Sequence, residues 1–196
     1  QTSVQDLLDE LDASKGAFYH YFDSKEALLV AVVERMTDEA LASVLPVAAD
    51  PALSAPQKLQ HFFGGIASWK SARRELVMAI LRAWISDDNA VVREKFWRGA
   101  TRKMAPLLAG IIRQGREEGL FTASDPDEAA RVLLSLMHGA NDAAVELYVA
   151  RQAGTASFET IVHTFAAYNE ALERILGAPA GSVPIGGVAI LREWYA

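Results

Sequence analysis

The stretch SKGAFYHYFDSKEAL, residues 14–28, sets Tyr19, His20 and Tyr21 in a row between Phe18 and Phe22, with Lys15 and Lys25 on either side. Ser14 is positioned to cap a short helix reaching about Phe22, and Asp23-x-x-Glu26 has the form of a capping box, so that Asp23 or Ser24 starts the next one. A period of 3.6 residues sorts the side chains between the two caps. Phe18 and Phe22 are four apart, share a face, and are expected to pack on Leu7, Leu8 and Leu11 of a preceding short helix over about residues 3–10, opened by the box-like Thr2-x-x-Gln5. Lys15 and Tyr19 share another face, with Gly16 and His20 beside them and Tyr21 near Ala17. Two short helices around a tight turn, the second polar and aromatic on its outer side, have helix-turn-helix geometry, in which the second helix enters the major groove of DNA. Tyrosine hydroxyls and helix-start amides suit phosphate oxygens, Lys adds charge, and Gly or Ala lets the backbone approach base edges.

Beyond this stretch apolar residues recur at helical spacing almost throughout and strand-like alternation is scarce, so the fold class is all-α. The third helix carries the stripe Leu28, Leu29, Val32, Val33, Met36, Ala40, Leu41 and Val44 up to Pro46. The connector PVAADPALSAP marks the best internal boundary. Helices are expected near 56–72, 75–86, 89–118, 126–152 and 157–176, the fourth of these entered through Asp125-Pro126-Asp127-Glu128 after an exit at Gly119. This divides the chain into a DNA-binding part with its connecting helix (1–45), a helical-bundle part for ligand and dimerisation (46–176), and a Gly/Pro-punctuated extension (177–196) that is either flexible or docked through its apolar end, Val188 to Tyr195.

The composition bounds the function. The 196 residues carry a net charge of −6, which argues against indiscriminate binding to nucleic acid or anionic membranes, so any DNA contact must be local. No apolar run approaches the roughly 18 residues needed to span a membrane, nothing has the form of a secretory signal, and the absence of cysteine fits a reducing cytoplasm. No glycine-rich phosphate loop, cysteine nucleophile or Ser/His/acid elbow appears, so an enzyme is disfavoured; the pairs Ser14-Lys15 and Ser24-Lys25 are accounted for by capping and phosphate contact. No cofactor is implied.

The run TSVQDLLDELDASKGAFYHYFDSKEALLVAVVERM, residues 2–36, resembles the C-terminal part of the TetR-family DNA-binding domain, whose pattern is a Thr/Ser-led helix, a turn, then Ser-Lys-Gly-x-Phe/Leu-Tyr-x-Tyr/His-Phe-x-x-Lys-x-x-Leu. The length of the chain and the segment EEGLFTASDPDEAARVL ahead of the last long helices fit the same family. The resemblance implies phosphate contacts from Thr2 or Ser3, Tyr19, Tyr21 and Lys25, and groove contacts around Ser14, Lys15, Gly16, Ala17 and His20, on double-stranded operator DNA. It also implies a homodimer that spaces two reading helices for successive major grooves, about 34–36 Å apart. The family's first helix and the basic arm before it have no counterpart here, and the chain starts at Gln1 within a helical pattern, so a preceding segment is expected. Residues 1–36 hold seven acids (Asp6, Asp9, Glu10, Asp12, Asp23, Glu26, Glu34) against Lys15, Lys25 and Arg35, so these residues alone are expected to bind DNA weakly and with strong salt dependence.

The later helices supply a sensor. Phe62, Phe63, Trp69, Trp84, Phe96 and Trp97 are clustered, and with Ile66, Met78, Leu81, Ile85 and Met104 they are candidates to line a cavity for an apolar or aromatic effector. His138, Asp142 and Glu146 fall on one helix face; they supply too few ligands for a closed metal site, and His138 and Asn141 are instead candidates to orient a ligand. Gly139, Ala140, Ala143 and Ala144, with a second stripe of Phe158, Ile161, Val162, Phe165, Leu172 and Ile175, suit a four-helix dimer interface built from the helices near 126–152 and 157–176. The leading function is a ligand-responsive repressor; the alternative is a helical small-molecule carrier that does not bind DNA.

Overall fold

The computed structural model describes residues 14–84 and 89–195, and for residues 15, 17 and 82–84 it describes the backbone alone. The helix expected over 3–10, its Thr2 cap, and Leu7, Leu8 and Leu11 lie outside the described residues. Every regular element among those described is a helix: α1 Lys15–Tyr21, α2 Lys25–Ala49, α3 Ala55–Ser71, α4 Arg74–Trp84, α5 Ala90–Glu117, α6 Pro126–Gln152, α7 Phe158–Leu176 and α8 Val188–Tyr195.

The short α1 is tied to the turn before it by the Phe18 amide donating to the Ser14 carbonyl at 3.1 Å. Of the two candidate caps for α2, Ser24 is the one used. Its hydroxyl accepts the Ala27 amide at 3.1 Å, and backbone and Ser24 hydrogen bonds hold the Glu26 carboxyl below its ordinary range, as suits an acid in a first turn. Pro46 does not end the helix. α2 runs through it to Ala49, because a proline so near the C-terminal end removes one ladder bond, and Asp50 then stops the chain with its amide on Val47. Ser54 and Gln57 form a reciprocal cap at the start of α3, with the Ser54 amide donating to Gln57 Oε1 at 2.9 Å. The connector is clamped from across the bundle: the Ala55 amide donates to Glu118, and Gln114 donates to the Leu53 carbonyl.

The core lies where α2, α3, α5, α6 and α7 meet. Leu59, Phe62, Leu108, Ile112, Leu133, Leu172 and Leu176 are buried there, each worth about 1.5–3 kcal/mol of transfer free energy. α2 and α3 approach closely at Gly65, where a Cβ would sit 2.6 Å from Val44 Cγ1. A smaller cluster around Val33 and Val92, with Leu29, Val30, Ile80 and Phe96, ties the upper part of α2 to α4 and α5.

Of the two fates open to the C-terminal segment, docking is the one observed. α7 ends at Gly177 in a left-handed conformation (φ 63°), and the chain then folds back on α7. Glu173, buried to 4 % exposure, accepts the amides of Gly181 and Val183, and Asn169 accepts that of Ile185 at 2.7 Å. The chain re-enters as α8, packed on α6 and α7. Tyr195 closes the arrangement by donating to the Ala144 carbonyl, while Trp194 donates to Ser71.

Candidate functional site

Two places on this scaffold bear on function. On α1, Phe18 and Phe22 lie half-buried with ring centroids 5.8 Å apart, and Tyr19 sets its ring edge-on against Phe18. His20 and Tyr21 point outward as a T-shaped pair at 4.8 Å. Tyr19 is 47 % exposed and Tyr21 76 %, high values for large aromatic side chains. The helical phase read from the sequence therefore holds: one face is inward and apolar, the other presents hydroxyls and an imidazole. Ser14 and Gly16 are exposed beside them, while Lys25 is half-buried at the start of α2. The side chains of Lys15 and Ala17, and Thr2 and Ser3 altogether, lie outside what the structure describes.

The second place is a partly open cavity of about 770 Å³ lined by residues of α2 to α8 and of the segment before α8. That size suits a drug-like ligand, and most of the wall is carbon. Phe63, Ile66, Trp69, Leu81, Trp97, Met104 and Asn141 line it, as expected from the sequence. Three candidates do not. Phe62 is instead fully buried in the core with Leu59 and its neighbours, one helical step round α3 from Phe63 on the wall. Met78 is half-buried on α4 but off the wall, to which its neighbours Val77, Ile80 and Leu81 turn. His138 is not among the lining residues; it stacks on Trp97 at 4.3 Å, with Nε2 3.6 Å from Asp142, and so braces an indole of the wall. The side chain of Trp84 and all of Ile85 lie outside the description. Among the described residues no group of three or more His, Asp or Glu is placed to hold a metal ion.

The small residues of α6 also divide differently than expected. Ala140 and Ala144 line the cavity, and on α7 Ile161 and Leu172 are buried within the chain while Val162 and Phe165 border the cavity, so this stripe serves the protomer's own interior. Sequence reading missed Val188, Leu191 and Trp194 of α8, which form part of the wall. The signal was present in the apolar end of the extension, but nothing local said what it would cover.

Seven charged or polar side chains border the cavity: Thr37, Lys70, Asn141, Tyr168, Asn169, Glu170 and Glu173. Thr37 donates to the Val33 carbonyl, as a helical threonine does. Lys70 borders the cavity and is exposed, and the protein packed around it pushes its ammonium below the ordinary lysine range. Trp97 contributes its ring, but its Nε1 is buried without a hydrogen-bond partner among the described residues.

An exposed hydroxyl-bearing aromatic helix ahead of an all-helical body with a ligand-sized apolar cavity is the make-up of a ligand-responsive transcriptional regulator. Comparison with known proteins agrees. Residues 1–32 match the family of bacterial regulatory proteins of the tetR family, and residues 79–168 match the tetracyclin repressor-like C-terminal domain. The HTH-type transcriptional repressor NemR of Escherichia coli K12 is 32% identical over 149 residues, covering 70% of this chain and 71% of NemR. The HTH-type transcriptional regulator EthR of Mycobacterium tuberculosis is 28% identical over 160 residues, covering 69% and 74%. Among solved structures, a tetR-family regulatory protein from Rhodococcus RHA1 superposes with a TM-score of 0.54 at 24% identity over 91% of this chain and 87% of that one; reduced E. coli NemR gives 0.53, also at 24%. The chain belongs to the TetR family of helix-turn-helix transcriptional regulators.

Proposed function

We propose that the protein is a cytoplasmic homodimeric repressor whose grip on operator DNA loosens when an apolar or aromatic molecule fills the cavity. One observation carries the reading: α2 begins directly after the exposed helix α1, and the same α2 supplies Val33, Met36, Thr37, Ala40 and Leu41 to the cavity wall. A ligand that prefers one position of this wall thereby prefers one position of the reading helix, and coupling needs nothing more. Tyr19, Tyr21, Lys25 and Thr2 or Ser3 hold phosphates; Ser14, Lys15, Gly16, Ala17 and His20 approach the groove. Two protomers associate through the outward faces of α6, where Val132 and Val149 are each 50 % exposed, and of α7 beside it. No helix among the described residues is long and apolar enough to cross a membrane.

The test is binding of full-length protein to a labelled fragment spanning the promoter of its own gene. Tyr19→Phe with Lys25→Ala is expected to weaken binding at least tenfold, with Lys25→Ala alone lowering the salt slope by about one. Ala140→Leu, which narrows the cavity at its wall, is expected to keep DNA binding and weaken the ligand response. Unchanged DNA binding in the double variant sinks the reading, and no DNA binding by the wild type favours a carrier.

A further inference from the structure

The cavity wall holds three charged side chains, Lys70, Glu170 and Glu173. Both carboxylates are committed: Glu173 accepts two backbone amides, and Glu170 is paired with Arg174 one helical turn away. Among the described residues the Lys70 ammonium has neither a hydrogen bond nor an ion pair. Its neighbours raise the positive potential further. Arg73 lies 4.4 Å over the Trp69 ring and Arg74 lies 5.9 Å from that of Trp194, both rings being part of the wall. Glu75, the next residue, is exposed and forms no ion pair with them among the described residues.

Lys70 is exposed at the border of a mostly apolar cavity, so its ammonium is hydrated and free to pair with an anion that enters beside it. The remaining free polar groups, the Asn141 amide and the Tyr168 hydroxyl, are neutral and have no partner among the described residues. They offer hydrogen bonds without cancelling the charge. A cationic ligand would meet repulsion at Lys70, and a neutral one would leave it unpaired.

Resting on the reading of this cavity as the effector site, we infer that the effector is an amphipathic acid, its carboxylate paired with Lys70 and its apolar body lying between Trp97, Met104 and the α8 side chains Leu191 and Trp194. Lys70 is thus the residue that selects acids over the corresponding alcohols.

The experiment uses full-length protein and displacement of N-phenyl-1-naphthylamine, a neutral fluorescent dye, by two matched pairs: decanoate against decan-1-ol, and 1-naphthylacetate against 1-naphthaleneethanol. For at least one pair the wild type is expected to bind the acid ten or more times more tightly than the alcohol. Lys70→Met is expected to reduce that ratio to about one while changing alcohol and dye affinity less than twofold, and Lys70→Arg to retain the preference. No acid preference in the wild type, or one that survives Lys70→Met, overturns the assignment of Lys70. Failure of the dye and all four probes to bind the wild type overturns instead the cavity reading beneath it.

Discussion

The Glu173 carboxylate accepts the Val183 amide at 2.9 Å from a position where almost no solvent reaches it. Its other oxygen takes the Gly181 amide at the same distance, so one side chain of α7 fixes the segment that delivers α8 to the cavity. Hydrogen bonds to a charged group are worth about 1.5–3 kcal/mol each. Glu173→Ala is expected to destabilise the chain by about 3 kcal/mol in urea titrations. It should also abolish hydrogen-exchange protection over residues 181–195 before the rest; equal protection in the variant would mean that α8 docks without this anchor.

Gly177 caps α7 at φ 63°, and a Cβ there would lie 2.0 Å from Thr122 Oγ1. Thr122 is held in place, since its amide donates to the Leu176 carbonyl and its hydroxyl to that of Gly177. Left-handed strain of about 1–2 kcal/mol is therefore compounded by a clash. Gly177→Ala should lower the thermal midpoint clearly, and pairing it with Thr122→Ala should recover part of the loss.

The unpartnered Trp97 Nε1 leads to the opposite expectation for a large-to-small change. A buried donor left unmade costs about 1–3 kcal/mol, which offsets much of the packing that Trp97→Phe gives up. The variant should unfold within about 1 kcal/mol of wild type in urea. A loss well above 2 kcal/mol would show that the indole N–H is satisfied in solution.

Burial pushes the Tyr195 phenol from 10 up to about 12. The folded chain thus keeps a proton that the unfolded chain releases, so this stability is complete below pH 10 and is lost as pH climbs from 10 to about 12. Lys70 acts in the reverse sense: its lowered value makes the folded chain release a proton first, and stability rises as pH approaches the ordinary lysine value. The informative quantity is the difference between wild type and Tyr195→Phe in thermal melts from pH 9 to 12, which should shrink as pH rises.

Caps, punctuation and periodicity placed the helices in the sequence because these are local effects: the Asp125–Glu128 entry, the Gly119 exit and the phase of Phe18 against Tyr19 each depend on residues within one turn. The cavity wall depends on where distant helices meet. A single helical step separates Phe63 on the wall from Phe62 in the core, and no local pattern distinguishes them. The same holds for α6 and α7, whose apolar stripes looked like a partner's seat and largely serve the protomer. The contribution of α8 was hidden further, because Trp194 reaches its place through a hydrogen bond to Ser71, far away in the chain.

That the wall draws on Val33 near one end of the chain and on Trp194 near the other has a consequence for the protein's lifetime. Such a site exists only in the completely assembled fold, so a molecule seated in it opposes global unfolding rather than a local opening. At a hundred times its Kd a ligand of this kind adds about 2.7 kcal/mol to whole-chain stability. The occupied regulator is then the form that resists proteolysis, and its abundance in the cell rises with the same molecule that takes it off DNA.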